Sequence, residues 1–260
     1  MGKIAPAIAR RIRHIPFLHH LSDNYTVSKI YNSLVRKRSL QDVPFSTPAG
    51  QMQLKLPADE RFLTEKSTQE GGHEPFLAED ICKVIDQSSC FLDVGAHMGY
   101  FSKLTQQLGV PARNIHAFEP DKFNYYVLSQ NCPDINHHNK FVTNTVSSEE
   151  ISLDEYVDSR FHPDVVKIDA EGAEQNVIDG FTRTIAACHP RLYIEIHPKR
   201  LSRFGSTPEE VYEALYDFGY TIDVCQFTRE QYPRDDGVWL PPDNSELPSE
   251  QVHGIRAVKQ

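Results

Sequence analysis

The sequence predicts an α/β fold built on a parallel sheet. Three observations carry that prediction. Short apolar runs that read as strands alternate with amphipathic stretches that read as helices. One strand runs directly into a two-glycine loop and then a helix, between Cys90 and Leu108. Ionisable residues collect at the carboxyl ends of the strand-like runs, where open α/β sheets gather their functional groups. A chain of 260 residues, 39% apolar, suits one domain with an extension rather than two full domains. Its apolar stretches last only a few residues, against the ~20 that a membrane span needs. The 5 cysteines form no CxxC pair, which argues against a disulfide framework or a cysteine zinc site and for a reducing, cytoplasmic setting.

Charge divides the chain. Residues 1–40 carry Lys3, Arg10, Arg11, Arg13, Lys29, Arg36, Lys37 and Arg38 against Asp23 alone, so this arm is strongly basic while the whole chain has a net charge of −9. An acidic body makes nucleic acid a poor partner, and none is expected. Ile4, Ile8, Ile12 and Ile15 fall at helical spacing, and a second stripe follows from Val27 to Val35, so residues 1–42 read as a basic helical extension. Packing on the main domain is the first reading of the arm, and peripheral contact with an anionic membrane through residues 1–40 is the second. Charges interrupt any secretory h-region, and Pro6 stands where myristoylation wants Ser or Thr. The arm resembles a transit peptide only in being rich in Arg and poor in acids.

The main domain is assigned to residues 43–260. Val43 to Leu56 reads as a hairpin around Ser46–Gly50, and Phe76 to Ile85 as a helix. The strand Cys90–Val94 then enters Asp93-x-Gly95-x-x-x-Gly99 and a helix through Phe101, Leu104 and Leu108. Such a turn brings backbone N–H groups and a helix N-terminus to one point. Gly95 permits a sharp turn and close approach of a ligand, and Gly99 lets the helix lie near that ligand or the sheet. A second strand, Ile115–Glu119, ends in an acid twenty residues after Gly99, placed to accept from both hydroxyls of a ribose. The loop lacks GxGxxG, so a pyrophosphate cradle is not indicated. Asp93 suits a cationic ligand or orders the loop amides. S-adenosylmethionine, with an ammonium, a sulfonium and a ribose but no phosphate, fits this set.

Phe141 to Val146 reads as the third strand. Val165 to Asp169 is a fourth, ending in the acid-rich Asp169-Ala170-Glu171-Gly172-Ala173-Glu174, and one helix is expected through Val177, Ile178, Phe181 and Ile185. The strand Leu192–His197 follows, with Glu195 and His197 on one face. Glu174 reads as a helix cap, and Lys167 as an ion-pair partner of Asp169. Asp169, Glu171, Glu195 and His197 at neighbouring strand ends point to a task, since burying them without one costs stability. A helix starts at Pro208 with Ser206 or Thr207 as cap. Thr221–Val224 and Ile255–Val258 read as two strands joined by a long polar loop that holds Trp239, read equally as a pin to the body or as an aromatic lid.

DVGAHMGYF, FEP, LDEYV (153–157), KIDAEGAE (167–174) and EIH (195–197), in that order, resemble FkbM-type S-adenosylmethionine-dependent methyltransferases. The resemblance implies a Rossmann-like class I methyltransferase sheet, mostly parallel, with helices on both faces and a C-terminal antiparallel hairpin. It implies methylation of a hydroxyl on a sugar, glycan or related small molecule. It places Asp93, Gly95, Ala96, Gly99, Glu119 and Pro120 at the cofactor, and Asp169, Glu171, Glu195 and His197 at the acceptor. In that setting His197, an imidazole, is the better-matched general base and Asp169 the second choice. The alternative is that the carboxylates and His197 hold a divalent cation that acidifies the hydroxyl, but no spacing demands a metal and none is assigned. The segment after Val146 is shorter than the family usually has. That shortening motivates the alternative of an inactive cofactor-binding scaffold, and a nicotinamide oxidoreductase is a distant third.

Overall fold

A computed structural model describes residues 39–68, 72–158, 161–226 and 252–259. The basic arm before Ser39 and the loop with Trp239 lie outside the described residues. The eleven strands among the described residues are β1 (Leu40–Thr47), β2 (Gly50–Pro57), β3 (Phe91–Val94), β4 (Ile115–Phe118), β5 (Asn136–His138), β6 (Phe141–Val142), β7 (Glu150–Ile151), β8 (Val165–Ile168), β9 (Arg191–Ile196), β10 (Tyr220–Gln226) and β11 (His253–Lys259). The α-helices are α1 (Phe62–Ser67), α2 (Pro75–Val84), α3 (Tyr100–Gln107), α4 (Lys122–Asn131), α5 (Leu153–Val157), α6 (Glu174–Asp179), α7 (Thr182–Cys188), α8 (Pro198–Leu201) and α9 (Pro208–Asp217).

A 7-stranded sheet in the order β10-β11-β9-β8-β3-β4-β5 forms the middle of the molecule. The β3, β4, β5, β8 and β9 pairings are parallel, and β11 inserts antiparallel between β9 and β10. The strand order reverses between β3 and β8, which opens a crevice at their carboxyl ends. This is the Rossmann-like class I methyltransferase sheet with its C-terminal antiparallel hairpin. Each face carries its own core. Phe91, Ile115, Ala117, Val165 and Tyr193 pack with α2, α3, α4 and the β1–β2 hairpin. Leu92, Val94, Val166, Ile168, Leu192 and Ile194 pack with α6, α7 and α9 on the other face. The hairpin register sets Val43 opposite Leu54 and Phe45 opposite Met52, and all four are buried. β1 begins at Leu40, inside the stretch read as extension. Helix α9 opens with a capping box, with Thr207 accepting from Glu210 N and Glu210 accepting from Thr207 N.

Two elements differ from the sequence reading. The third strand of the sheet is β5, not Phe141–Val146; β6 instead pairs with β7 in a small parallel ladder. The sequence Asn136-His137-His138 hides an edge strand because its polar side chains bond sideways, His137 Nδ1 to Tyr125 at 3.1 Å and His138 Nε2 to Tyr156 at 2.8 Å. The single helix expected from Val177 to Ile185 is two, α6 and α7, broken at Gly180. The Gly180 carbonyl accepts from Asp154 N at 2.9 Å and Ser152 Oγ at 2.8 Å, which ties the break to α5.

Asp154 also caps α7 from outside. Its carboxylate accepts from Arg183 N at 2.9 Å, Thr184 N at 2.8 Å and Thr184 Oγ1 at 2.8 Å. Asp154 of LDEYV is therefore a cap that joins two helices. Asp154→Ala should cost about 2–4 kcal/mol, since two N–H groups and a hydroxyl lose their acceptor at a buried site. Urea unfolding measures this, and a loss below about 0.5 kcal/mol would remove the capping role.

Candidate active site

The period of two along each strand places the ionisable residues together. On the face that carries Phe91, Val165 and Tyr193, the next outward positions are Asp93, Lys167 and Glu195, and then Asp169 and His197 at the strand ends. The register sets Asp93 beside Lys167 and Lys167 beside Tyr193. The same face is thus apolar at the amino ends of the strands and charged at the carboxyl ends.

Lys167 is 4% exposed and lies 3.6 Å from Asp169 Oδ2, with its ammonium 5.2 Å from the centre of the Phe101 ring. Burial lowers its affinity for the proton, but Asp169, Asp93, Glu74 and Glu195 outweigh burial and keep it charged. Burial raises the Asp93 carboxyl, against the pull of Lys167 and Ser102. Ser102 Oγ of α3 donates to Asp93 Oδ2 at 2.7 Å. Burial, with Asp169 and Glu74 nearby, pushes Glu195 well above the carboxylate range.

His197 is 2% exposed. Its Nδ1 lies 2.9 Å from Glu174 Oε1, and the same oxygen accepts from Gly172 N at 2.9 Å. Its Nε2 faces Glu171 Oε2 at 3.4 Å, Asp169 Oδ1 at 3.8 Å and Glu195 Oε2 at 3.9 Å. Asp169, Glu195 and His197 bring one donor atom each to within 4.8 Å of one another. Glu171 brings the carboxylate oxygen nearest Nε2, but it is 56% exposed and that oxygen is also ion-paired with Arg200 of α8. All four residues placed at the acceptor from the sequence therefore meet.

Three participants were missed. Glu174 reads in sequence as a helix cap, yet it is fully buried and orients His197. His73 and Glu74 sit before α2 and come over the same face, with His73 Nε2 3.1 Å from Glu74 Oε1. Burial pushes the Glu74 carboxyl up, but His73, Lys167 and His197 prevail and hold it low. The sequence signal available was Glu74-Pro75, an acid before a first-turn proline, which marks a helix start and nothing more.

The glycine loop packs closely on its neighbours. Gly95 has φ +74, and a Cβ there would overlap the Asp169 carbonyl, so the missing side chain admits the end of β8. Gly99 has φ +90, and a Cβ there would lie 2.8 Å from Leu128 Cδ1, so it admits α4. Gly95 N and Ala96 N both donate to Phe118 O at 3.0 Å, and Gly99 N donates to Ala96 O at 2.8 Å. These amides are occupied, so no cradle for a pyrophosphate is left at them. Glu119 closes the loop: its carboxylate accepts from His97 N at 2.8 Å and Asp121 N at 2.8 Å. Burial pushes the Glu119 carboxyl up to about 8, against the pull of both amides. Pro120 follows, with its carbonyl held by Asn139 Nδ2 at 2.9 Å.

The strand order is that of a Rossmann-like class I methyltransferase sheet. Residues 134–222 match the methyltransferase FkbM domain. LDEYV, KIDAEGAE and EIH fall inside that span, so the resemblance read from the motifs is met by an independent match. Among solved structures, the chain is similar to methyltransferase FkbM from Methylobacillus flagellatus (18% identity, TM-score 0.44), covering 66% of this chain and 44% of that one. The precorrin-6y C5,15-methyltransferase of Geobacter metallireducens is 17% identical with TM-score 0.47, over 82% of this chain and 100% of that one. An O-methyltransferase from Bacillus cereus is 14% identical with TM-score 0.44, over 79% and 84%. The chain thus spans less than half of the Methylobacillus protein. No curated protein matches the sequence. No helix among the described residues is long and apolar enough to cross a membrane.

The raised Glu119 carboxyl makes a signed prediction. A carboxyl with a higher pKa in the folded state binds its proton more tightly there, so its stabilising contribution is complete at low pH and is lost as pH rises toward about 8. Unfolding free energies of wild type and Glu119→Gln, measured at pH 5, 6.5 and 8.5, should diverge in favour of the glutamine as pH rises. A pH-independent difference would contradict the burial-driven shift.

Proposed function

We propose that this protein is an S-adenosylmethionine-dependent methyltransferase that methylates a hydroxyl on a sugar, glycan or related small molecule. The observation that carries the reading is the convergence of Asp169, Glu195 and the Glu174-oriented His197 at the carboxyl end of the sheet. Glu119 closes the glycine loop on the same side of the sheet. The FkbM domain match and the class I sheet support the reaction class.

Asp93, Gly95, Ala96, Gly99, Glu119 and Pro120 are the residues assigned to the cofactor. Glu119 fits a ribose: it is a buried carboxyl group whose two oxygens each take one amide and retain capacity for a hydroxyl. Bound there, S-adenosylmethionine supplies a methyl group on a sulfonium already activated for displacement. A hydroxyl is a weak nucleophile at neutral pH and gains from a site that stabilises its loss of a proton. The trio offers that site, with Nε2 of His197 turned toward the two carboxylates. Glu171 lines the exposed side of the acceptor position. Cysteine usage favours the cytoplasm as the setting, and the basic arm is the candidate for contact with a membrane surface.

Calorimetric titration with S-adenosylmethionine is the first test, with NAD as the comparison ligand. Glu119→Ala should weaken binding at least about tenfold, because two hydroxyl donors lose their acceptor at a buried site. His197→Ala should lower kcat by about 10²–10⁴-fold toward a hydroxylated sugar acceptor and leave the cofactor Kd within about twofold. Unchanged cofactor affinity in the first variant would sink the ribose assignment. Full turnover in the second would move the chemistry away from the trio.

A further inference from the structure

We propose that Asp169, Glu195 and His197 form a binding site for a divalent transition-metal cation, with Mn²⁺ or Zn²⁺ as the fitting ions. The donor set is one imidazole nitrogen and two carboxylates, which suits these ions and disfavours Ca²⁺, whose ligands are all oxygen.

The geometry points to an ion in four ways. First, the spacing is that of a ligand shell opened slightly. Ligand bonds of about 2.1 Å place neighbouring donors about 3.0–3.4 Å apart in octahedral or tetrahedral arrangements. Here Nε2 lies 3.8 Å from Asp169 Oδ1 and 3.9 Å from Glu195 Oε2, so closure needs movements of about half an ångström. Second, those separations exceed the 2.7–2.9 Å of a charge-assisted hydrogen bond. The facing Asp169 Oδ1 is buried and has no hydrogen-bond partner. Third, Nδ1 of His197 is held by the buried Glu174 at 2.9 Å, the carboxylate–histidine arrangement that aims the other ring nitrogen at a metal. Fourth, the oxygens of Asp169 divide their work: Oδ2 faces Lys167 at 3.6 Å and Oδ1 faces the trio. Lys167 is thereby engaged on the far side of the carboxylate. Glu171 Oε2 lies nearest Nε2, at 3.4 Å, but the same oxygen is paired with Arg200 and the side chain is 56% exposed, so it is left outside the ligand set.

Binding of the ion does not depend on the methyl-transfer reading; its catalytic use does. An acceptor hydroxyl on the ion would have its pKa lowered there and give its proton to water. Its oxygen would then form a bond to the methyl carbon as the carbon–sulfur bond breaks. The trio would activate the hydroxyl through the ion instead of taking the proton itself.

The test titrates the full-length protein with MnCl₂ by calorimetry and follows the free Mn²⁺ signal by electron paramagnetic resonance. One saturable site is expected. Asp169→Asn and Glu195→Gln should each weaken it at least about tenfold, whereas Glu171→Gln should stay within about twofold. Circular dichroism and thermal melting check that each variant is folded. Pulsed resonance on the wild type provides an arm free of mutation: a directly coordinated imidazole nitrogen should appear. Absence of saturable binding in the folded wild type, equal binding in both ligand variants, or no nitrogen coupling would each overturn the proposal. S-adenosylmethionine titrated into the same samples separates the two readings, since Mn²⁺ binding at the trio with no cofactor binding upholds the cation site while sinking the methyltransferase.

Discussion

One buried ammonium orders the top of the sheet. Lys167 extends from the middle of β8 onto a face where Asp93, Glu74, Asp169 and Glu195 surround it. Its attraction to Asp169 at 3.6 Å is worth about 4–5 kcal/mol at an effective dielectric near 20. Desolvation costs several kcal/mol for each ion, so that pair alone roughly breaks even. The further carboxylates keep the charge in place, and the Phe101 ring closes over it. Removing the ammonium would leave carboxylates facing each other in a poorly solvated site. The arrangement therefore contributes position more than stability. It fixes Asp169 Oδ2 on one side and leaves Oδ1 turned toward His197.

The strands of the main sheet other than β5, and their charged ends, were legible because a parallel sheet writes itself as short apolar runs that finish in polar turns. DVGAHMGYF, KIDAEGAE and EIH each combine a strand with its functional end, so local reading sufficed for Asp93, Asp169, Glu195 and His197. What was not legible depended on distant partners. Glu74 lies more than ninety positions before Lys167, and only the path of the hairpin and α2 brings it onto the sheet face. Gly180 breaks a helix that is periodic on both sides, because α5 claims its carbonyl. β5 escaped notice since an edge strand of Asn and His has no apolar alternation to show.

Gly95 and Gly99, which read as ligand signals, also serve packing. Gly95 makes room for the Asp169 carbonyl and Gly99 for Leu128. Asp154 of LDEYV holds two helix-start amides. This does not detach them from function. Gly95 sets how closely β3 approaches β8, and Asp169 N donates to Val94 O at 2.9 Å across that contact. The loop and the acid cluster are therefore one rigid unit, and a displacement at the glycine would reach Asp169 directly.

Part of the backbone strain lies at the same boundary. Among the described residues, the non-glycine positions with positive φ are Glu74, His97, Asp158, Glu171 and His189. Glu74 and Glu171 border the acid cluster, and His97 gives its amide to Glu119. Each such conformation costs about 1–3 kcal/mol and persists only where its surroundings over-determine it. Here the surroundings are charges: His73, Lys167 and His197 for Glu74, Arg200 for Glu171, and the Glu119 carboxylate for the His97 amide. The electrostatics that assemble the site thus also hold the strained backbone that presents it. The strained turns thus border a cluster whose donors sit at or just beyond the carboxyl ends of β8 and β9, near the point where the sheet order reverses.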